Sequence, residues 1–119
     1  MKEYYSIFID SSMLMAKFTL FVDIQEGFKD DTLIVKVNGN DVFVKEHITT
    51  NLLYGPAASF STDINEGLAR MEAVVPHRNL QCSYEFQVDS DMYIAISIID
   101  PDGQENIRFI SSDHPFGYF

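Results

Sequence analysis

Tight-turn signals recur along the chain at Asp10-Ser11-Ser12, Asn38-Gly39-Asn40, Asn65-Glu66-Gly67, Asp89-Ser90-Asp91 and Asp100-Pro101-Asp102-Gly103. Between them lie short runs in which apolar residues return at every second position, as in Leu80, Cys82, Tyr84, Phe86 and Val88. A period of two belongs to a β-strand with one face buried and one face wet. The pattern places nine candidate strands, at about 4–9, 13–22, 32–38, 41–46, 59–65, 68–75, 80–88, 92–99 and 104–111. The second is open to a helical reading, because Met13 to Lys17 are good helix formers, but Phe18-Thr19-Leu20-Phe21-Val22 favours strand.

Many short strands at this spacing predict an all-β fold. The expected form is an antiparallel β-sandwich of about seven to nine short strands, immunoglobulin-like or prealbumin-like in architecture. Two sheets are expected, because nine strands in one sheet would leave an apolar face uncovered. The 119 residues read as a single sandwich domain, 1–119. Hydrophobic residues make up 46% and charged residues 22%, enough for a packed core, with ten Phe and six Tyr as bulky filling where Trp is absent.

Turn chemistry predicts register. A two-residue loop at Asn38-Gly39 sets Lys36 opposite Asp41, Val35 opposite Val42 and Leu33 opposite Val44. A two-residue loop at Glu66-Gly67 sets Asp63 opposite Arg70. A three-residue loop at Asp89-Ser90-Asp91 pairs the strands at 80–88 and 92–99. A four-residue loop at Asp100–Gly103 sets Ile96 opposite Ile107 and Ile94 opposite Phe109. Parity alone does not separate a continuous meander from strands that hop between two sheets, since the buried residues point inward either way.

The net charge of -10 disfavours contact with nucleic acid or an anionic membrane and suits a basic protein partner or a bound cation. The single Cys82 forms no internal disulfide and reads as a buried small hydrophobe. The N-terminus has neither the basic flank of a signal peptide nor an unbroken apolar span, so a cytoplasmic location is the default expectation.

If each strand crosses the sandwich once, the connections alternate between its two ends. One end receives the tight turns, with the C-terminal tail. The other receives 23–31, 47–58, 76–79 and 100–103, and long loops on a rigid scaffold are where binding residues concentrate. That end gathers the candidate binding residues His47, Asn51, Tyr54, His77 and Arg78. Asp30, Asp31, Asp100 and Asp102 at the same end raise the question of calcium, although no calcium-loop spacing is present and Asp-Pro-Asp-Gly is a common turn sequence. The histidines have no zinc spacing, and no metal or other cofactor is expected.

No nucleophile elbow, zinc-protease motif or phosphate-cradling loop appears, so no catalytic residue is named. The tail, His114-Pro115-Phe116-Gly117-Tyr118-Phe119, is too aromatic to be left in water at about 25 cal/mol per Å². It reads as a plug on an open edge or end, or, through Phe116, Tyr118 and Phe119, as a docking motif for a partner or a second copy. Exposed strand edges are a second route to a homodimer. The leading expectation is a non-enzymatic binding or assembly module presenting its long loops to a protein partner. The alternatives are a small-ligand module of carbohydrate type using Tyr54 and neighbouring polar groups, weakened by the missing Trp, and a small hydrolase for which no nucleophile can be named and which would need a cleft lined by His47, His77 and an Asp.

Overall fold

The computed structural model describes residues 15–51, 53 and 55–118. The strand expected at 4–9 and the first two positions of the one expected at 13–22 lie outside the described residues, as do Tyr54 and Phe119. Among the described residues there are eight strands: β1 (Lys17–Ile24), β2 (Asp31–Val37), β3 (Asn40–Ile48), β4 (Ala58–Asn65), β5 (Gly67–Val75), β6 (Leu80–Val88), β7 (Met92–Ile99) and β8 (Asn106–Ser112). Two short 3₁₀ turns, Pro76–Arg78 and Pro101–Gly103, link β5 to β6 and β7 to β8. No helix of the described residues is long and apolar enough to cross a membrane.

The strands form two four-stranded sheets, in the orders β4-β1-β7-β8 and β3-β2-β5-β6. Neighbours run antiparallel except β1 and β7, which are parallel. Both inner faces feed one apolar cluster. Leu20, Val22, Ile24, Ile94, Ile96 and Ile98 come from the first sheet, and Leu33, Val35, Val37, Ala69, Met71, Ala73 and Val75 from the second. Each large member contributes about 1.5–3 kcal/mol by leaving water, so this alternating set holds the two layers together. The molecule is the antiparallel β-sandwich that the turn spacing implies. Its strand order differs from the immunoglobulin constant order, which groups the first, second, fourth and fifth strands in one sheet.

Local pairing departs from the turn-based expectation in four places. At Asn38-Gly39 both residues have positive φ, +50° and +84°, as a tight two-residue hairpin requires. Lys36 faces Asp41 as expected, but a bulge then sets Val35 opposite Phe43 and Leu33 opposite Lys45. That one-residue slip turns Val44 to the outer side, where it is 59% exposed. Asp63 does not face Arg70. It pairs with Thr19 in one sheet, while Arg70 pairs with Glu85 in the other. Likewise β6 and β7 do not form a hairpin, because residues 89–91 carry the chain from sheet to sheet. The β7–β8 register is shifted by two, with Ile96 opposite Phe109 and Ile98 opposite Ile107, since the loop spans 100–105. All inner residues keep their face through these changes except in β3, because a crossing and a hairpin share parity.

The two sides of the sandwich are closed by aromatic pairs that bridge edge strands of different sheets. Phe43 of β3 stacks on Phe60 of β4 with ring centroids 4.5 Å apart. Tyr84 of β6 stacks on Phe109 of β8 at 5.3 Å and on Phe86 at 5.6 Å. Such pairs add about 0.5–1.5 kcal/mol beyond burial and cover the flanks that two flat sheets would leave open. Cys82 lies on the edge strand β6, half-buried rather than fully buried as its alternation implied.

The connections separate into two ends. Residues 38–39, 66 and 89–91 meet at one, where Asn38 N–H donates to Arg70 O at 2.8 Å and Thr19 N–H to the Asp91 carboxylate at 2.8 Å. Residues 25–30, 49–57, 76–79 and 100–105 meet at the other.

Candidate functional site

The long-loop end is held by a polar frame built on the end of β1. Thr50 N–H donates to Phe28 O at 2.9 Å, Phe28 N–H donates back to Thr50 Oγ1 at 3.0 Å, and the Thr50 hydroxyl donates to Gln25 O at 2.7 Å. Asp30 N–H donates to Thr49 Oγ1 at 2.9 Å. At the far foot of the same loop, Ala57 N–H donates to Ile24 O at 2.7 Å. Threonine suits this work because its hydroxyl both donates and accepts. The 49–57 loop is therefore tied to β1 and the 25–30 loop at both of its feet.

Arg78 is the hub of this frame. The Pro76–Arg78 turn ends at Asn79 in the left-handed region, φ +56°, which aims the guanidinium back across the end. Nε and one terminal nitrogen grip Asp31 Oδ1 and Oδ2 at 3.0 and 2.7 Å, a bidentate fork. The same nitrogen donates to Gly27 O at 3.0 Å, and the other donates to Glu105 at 2.6 Å. Asp31 is only 3% exposed, and it also accepts the Lys29 N–H at 2.7 Å. The hydrogen bond that Arg78 donates to Asp31 raises the Arg78 pKa further, so the guanidinium stays charged. Among the described residues no buried side-chain nitrogen or oxygen lacks a partner. Arg78, read from the sequence as a binding residue, here links the 76–79, 25–30 and 100–105 connections and the start of β2 in its own chain.

His47 stands at the rim. It has φ +59° near the end of β3, and Asp30, with φ +49°, lies across from it. Left-handed backbone costs a residue other than Gly about 1–3 kcal/mol, and here it brings His47 Nδ1 to 2.7 Å from Asp30 Oδ1. Glu46 is 3.9 Å from Nε2. Both partners are open to water, with side chains 79% and 74% exposed. The hydrogen bond and charge of Asp30 raise the His47 pKa above its ordinary 6.5. A raised folded pKa means that the pair stabilises the fold fully below the ordinary value, and that this contribution fades as pH rises through the folded one. An NMR titration should therefore place the His47 midpoint above 6.5 in the wild type. In Asp30→Asn it should fall back toward the ordinary value. A wild-type midpoint at or below 6.5 would show that the contact is not kept in solution.

The remaining sequence candidates scatter around this frame. Asn51 is exposed, and its Oδ1 accepts the Leu53 N–H at 3.2 Å. His77 is exposed and makes no side-chain hydrogen bond within the described residues. Asp100 and Asp102 lie exposed in the β7–β8 loop, away from the pairs that engage Asp30 and Asp31. Among the described residues no three His, Cys, Asp or Glu side chains converge as a metal site. Tyr54 lies outside the described residues.

The tail falls elsewhere than its parity implied. β8 ends at Ser112, opposite Tyr93, at the tight-turn end. The chain then runs back, and the Tyr118 hydroxyl donates to Asp23 Oδ2 at 2.6 Å and accepts from Gln25 Nε2 at 2.9 Å. The Tyr118 ring lies beside Gly55 of the long loop. Burial first, and the Asp23 hydrogen bond second, push the phenol pKa up to about 12. Phe116 is half-buried, and Phe119 lies outside the described residues. Tail and loop end are thus neighbours. Asp23 and Gln25 carry no sequence signal beyond their outward parity on β1, and sequence reasoning did not single them out. Leu53, in the 49–57 loop, is 84% exposed.

Two clefts lie at the tight-turn end. One, of about 300 Å³, is lined by Lys17, Asn40, Thr62, Asp63 and Asn65 around Val37. The other, of about 260 Å³, is lined by Asp89, Asp91 and Asp113 with Ser90, Ser111 and Met92.

No protein-family model matches this chain, and no curated protein matches it in sequence. What the fold and this end define is a β-sandwich with a braced loop end, a class that by itself sets no activity.

Proposed function

We propose that the protein is a non-enzymatic binding module whose loop end, residues 25–30, 47–57 and 76–78, meets a protein partner. The observation that carries this reading is Leu53. It is 84% exposed on a loop whose feet are tied at Thr50 to the 25–30 connection and at Ala57 to the end of β1. A large apolar side chain held in water by a pre-organised loop loses little conformational freedom on binding, and that is what favours association. The rim around it is polar and mixed in charge, with His47, Asp30, Asn51 and His77 exposed. The acidic net charge of -10 favours a basic partner through steering.

The hydrolase alternative draws less support. The His47–Asp30 pair stands in solvent, and among the described residues no hydroxyl or thiol is hydrogen-bonded to the His47 ring.

A photo-crosslinking side chain placed at position 53 should capture a discrete partner from the native cell. The same group at Leu68, 71% exposed at the opposite end, should not. Leu53→Asp should abolish capture by a crosslinker at His77. Equal capture from positions 53 and 68, or none from 53, would sink the reading.

A further inference from the structure

The outward side of β1 near its C-terminal end is occupied by the chain itself, and the manner of occupation is unusual for a terminal segment. Among the described residues no backbone hydrogen bond joins residues 113–118 to any strand. The side-chain bonds of Asp113 and His114 stay within 112–114. Among the described residues, and apart from those local bonds to Ser112 at the end of β8, the hydrogen bonds from 113–118 to the sandwich are the two made by the Tyr118 hydroxyl. The tail is not an added strand; it is held as a bound peptide would be, by one side chain in a fitted site.

That site has complementary parts. Asp23 alternates with Val22 and Ile24 of the core and so points away from it. Its carboxylate can only accept, and the phenol donates to it. The Gln25 side-chain amide donates, and the phenol oxygen accepts. Phenylalanine would leave both groups without this partner, so the pair distinguishes tyrosine from phenylalanine. Gly55, with φ +91°, lies beside the ring: a Cβ there would reach ordinary van der Waals distance of Tyr118 Cγ, at 4.0 Å. Gly55 belongs to the 49–57 loop, so the tail and the loop end are neighbours at this site.

We propose that Asp23, Gln25 and Gly55 form a tyrosine-reading peptide site, and that the Phe116-Gly117-Tyr118 tail fills it in place of a Phe-Gly-Tyr segment of the partner protein. The tether from Ser112 to Tyr118 is six residues long, which gives the tail an effective concentration on the order of millimolar or above. A free peptide therefore competes poorly with the tail in cis, and the site opens to a partner when the tail is displaced. This names the chemistry of a partner beside the surface proposed above and rests on that reading only for the occupant being a protein.

The test is a titration of the full chain with a synthetic peptide of the tail, Asp-His-Pro-Phe-Gly-Tyr-Phe, followed by NMR at the Gln25 side-chain amide and the Gly55 amide. In Tyr118→Ala the peptide should shift both signals, with an affinity at least about tenfold above that of the wild type, where the tethered tail competes. A peptide carrying Phe in place of Tyr should bind several-fold more weakly, and adding Asp23→Ala to the vacated variant should abolish the preference for Tyr. Tyr118→Phe, which keeps the ring and the fold, should respond between wild type and Tyr118→Ala. Equal binding by wild type and Tyr118→Ala, equal binding of the Tyr and Phe peptides, or no shift in either variant would overturn the proposal. Capture at position 53 uses none of these readouts. A positive titration with failed capture would leave the peptide site and remove the loop-end reading, and the reverse would do the opposite.

Discussion

Arg78→Ala should cost the fold about 3–5 kcal/mol, because it leaves the Asp31 carboxylate charged, buried and without its counter-ion. Asp31 is 3% exposed, and the guanidinium supplies two of its short contacts, at 3.0 and 2.7 Å. The same change frees Gly27 O and Glu105 from their contacts with Arg78, so three connections and the start of β2 lose their shared anchor. Urea unfolding of the variant against the wild type measures the loss. Arg78→Lys should recover only part of it, since an ammonium cannot form the bidentate fork. The double change Arg78→Met with Asp31→Leu should recover more, because it removes the stranded charge instead of leaving it. If Arg78→Ala unfolds within about 1 kcal/mol of the wild type, the pair behaves as a surface ion pair and the frame is held by its threonines.

Gly27→Ala is the second large effect, and its cause is steric. Gly27 has φ +87°, and a Cβ placed there would lie 2.0 Å from Ile98 O and 2.8 Å from Ile98 C. Both are backbone atoms of β7, so no side-chain rotation relieves the clash. The flanking bonds, Gln25 N–H to Ile96 O and Ile98 N–H to Glu26 O, extend the parallel β1–β7 contact past the strand end and would have to lengthen. A left-handed alanine costs about 1–2 kcal/mol, and each weakened hydrogen bond adds about 0.5–1.5 kcal/mol. Gly39→Ala is the control. Its φ is +84°, but nothing lies within 4 Å of the new Cβ, so only the backbone term applies. Gly27→Ala should therefore melt well below Gly39→Ala. Equal melting temperatures would mean that β7 yields at Ile98 at no cost.

These two residues show how far the primary structure speaks for itself. Arg78 was legible as part of the long-loop end, but its role was not. Its partner Asp31 is 47 positions away, and no local pattern tells a rim arginine from one that grips a buried carboxylate. Gly27 carried no signal at all, since its close neighbour Ile98 belongs to a strand that only the sheet order brings alongside β1. His47 and Asp30 were both assigned to this end, yet their pairing depends on two left-handed residues that spacing does not reveal. The tail was read as folding back, and it does. That it ends on Asp23 and Gln25, beside the loop end and not opposite it, follows from side-chain chemistry across 95 and 93 positions.

The alternation of apolar residues was sufficient by itself to determine the strands among the described residues, their inner faces outside β3, the sandwich, and the division of its connections into a tight-turn end and a long-loop end. The physical reason is that burial acts residue by residue with a period of two, whichever strand lies alongside. Only the tertiary structure decided which strands pair. The turns at Glu66 and at 89–91 have the parity of hairpins but carry the chain between sheets, because closing one core between two four-stranded layers buries both inner faces and a single meander does not. The same packing brought β1 beside β7, placed Gly27 against Ile98, and set the tail against the loop end.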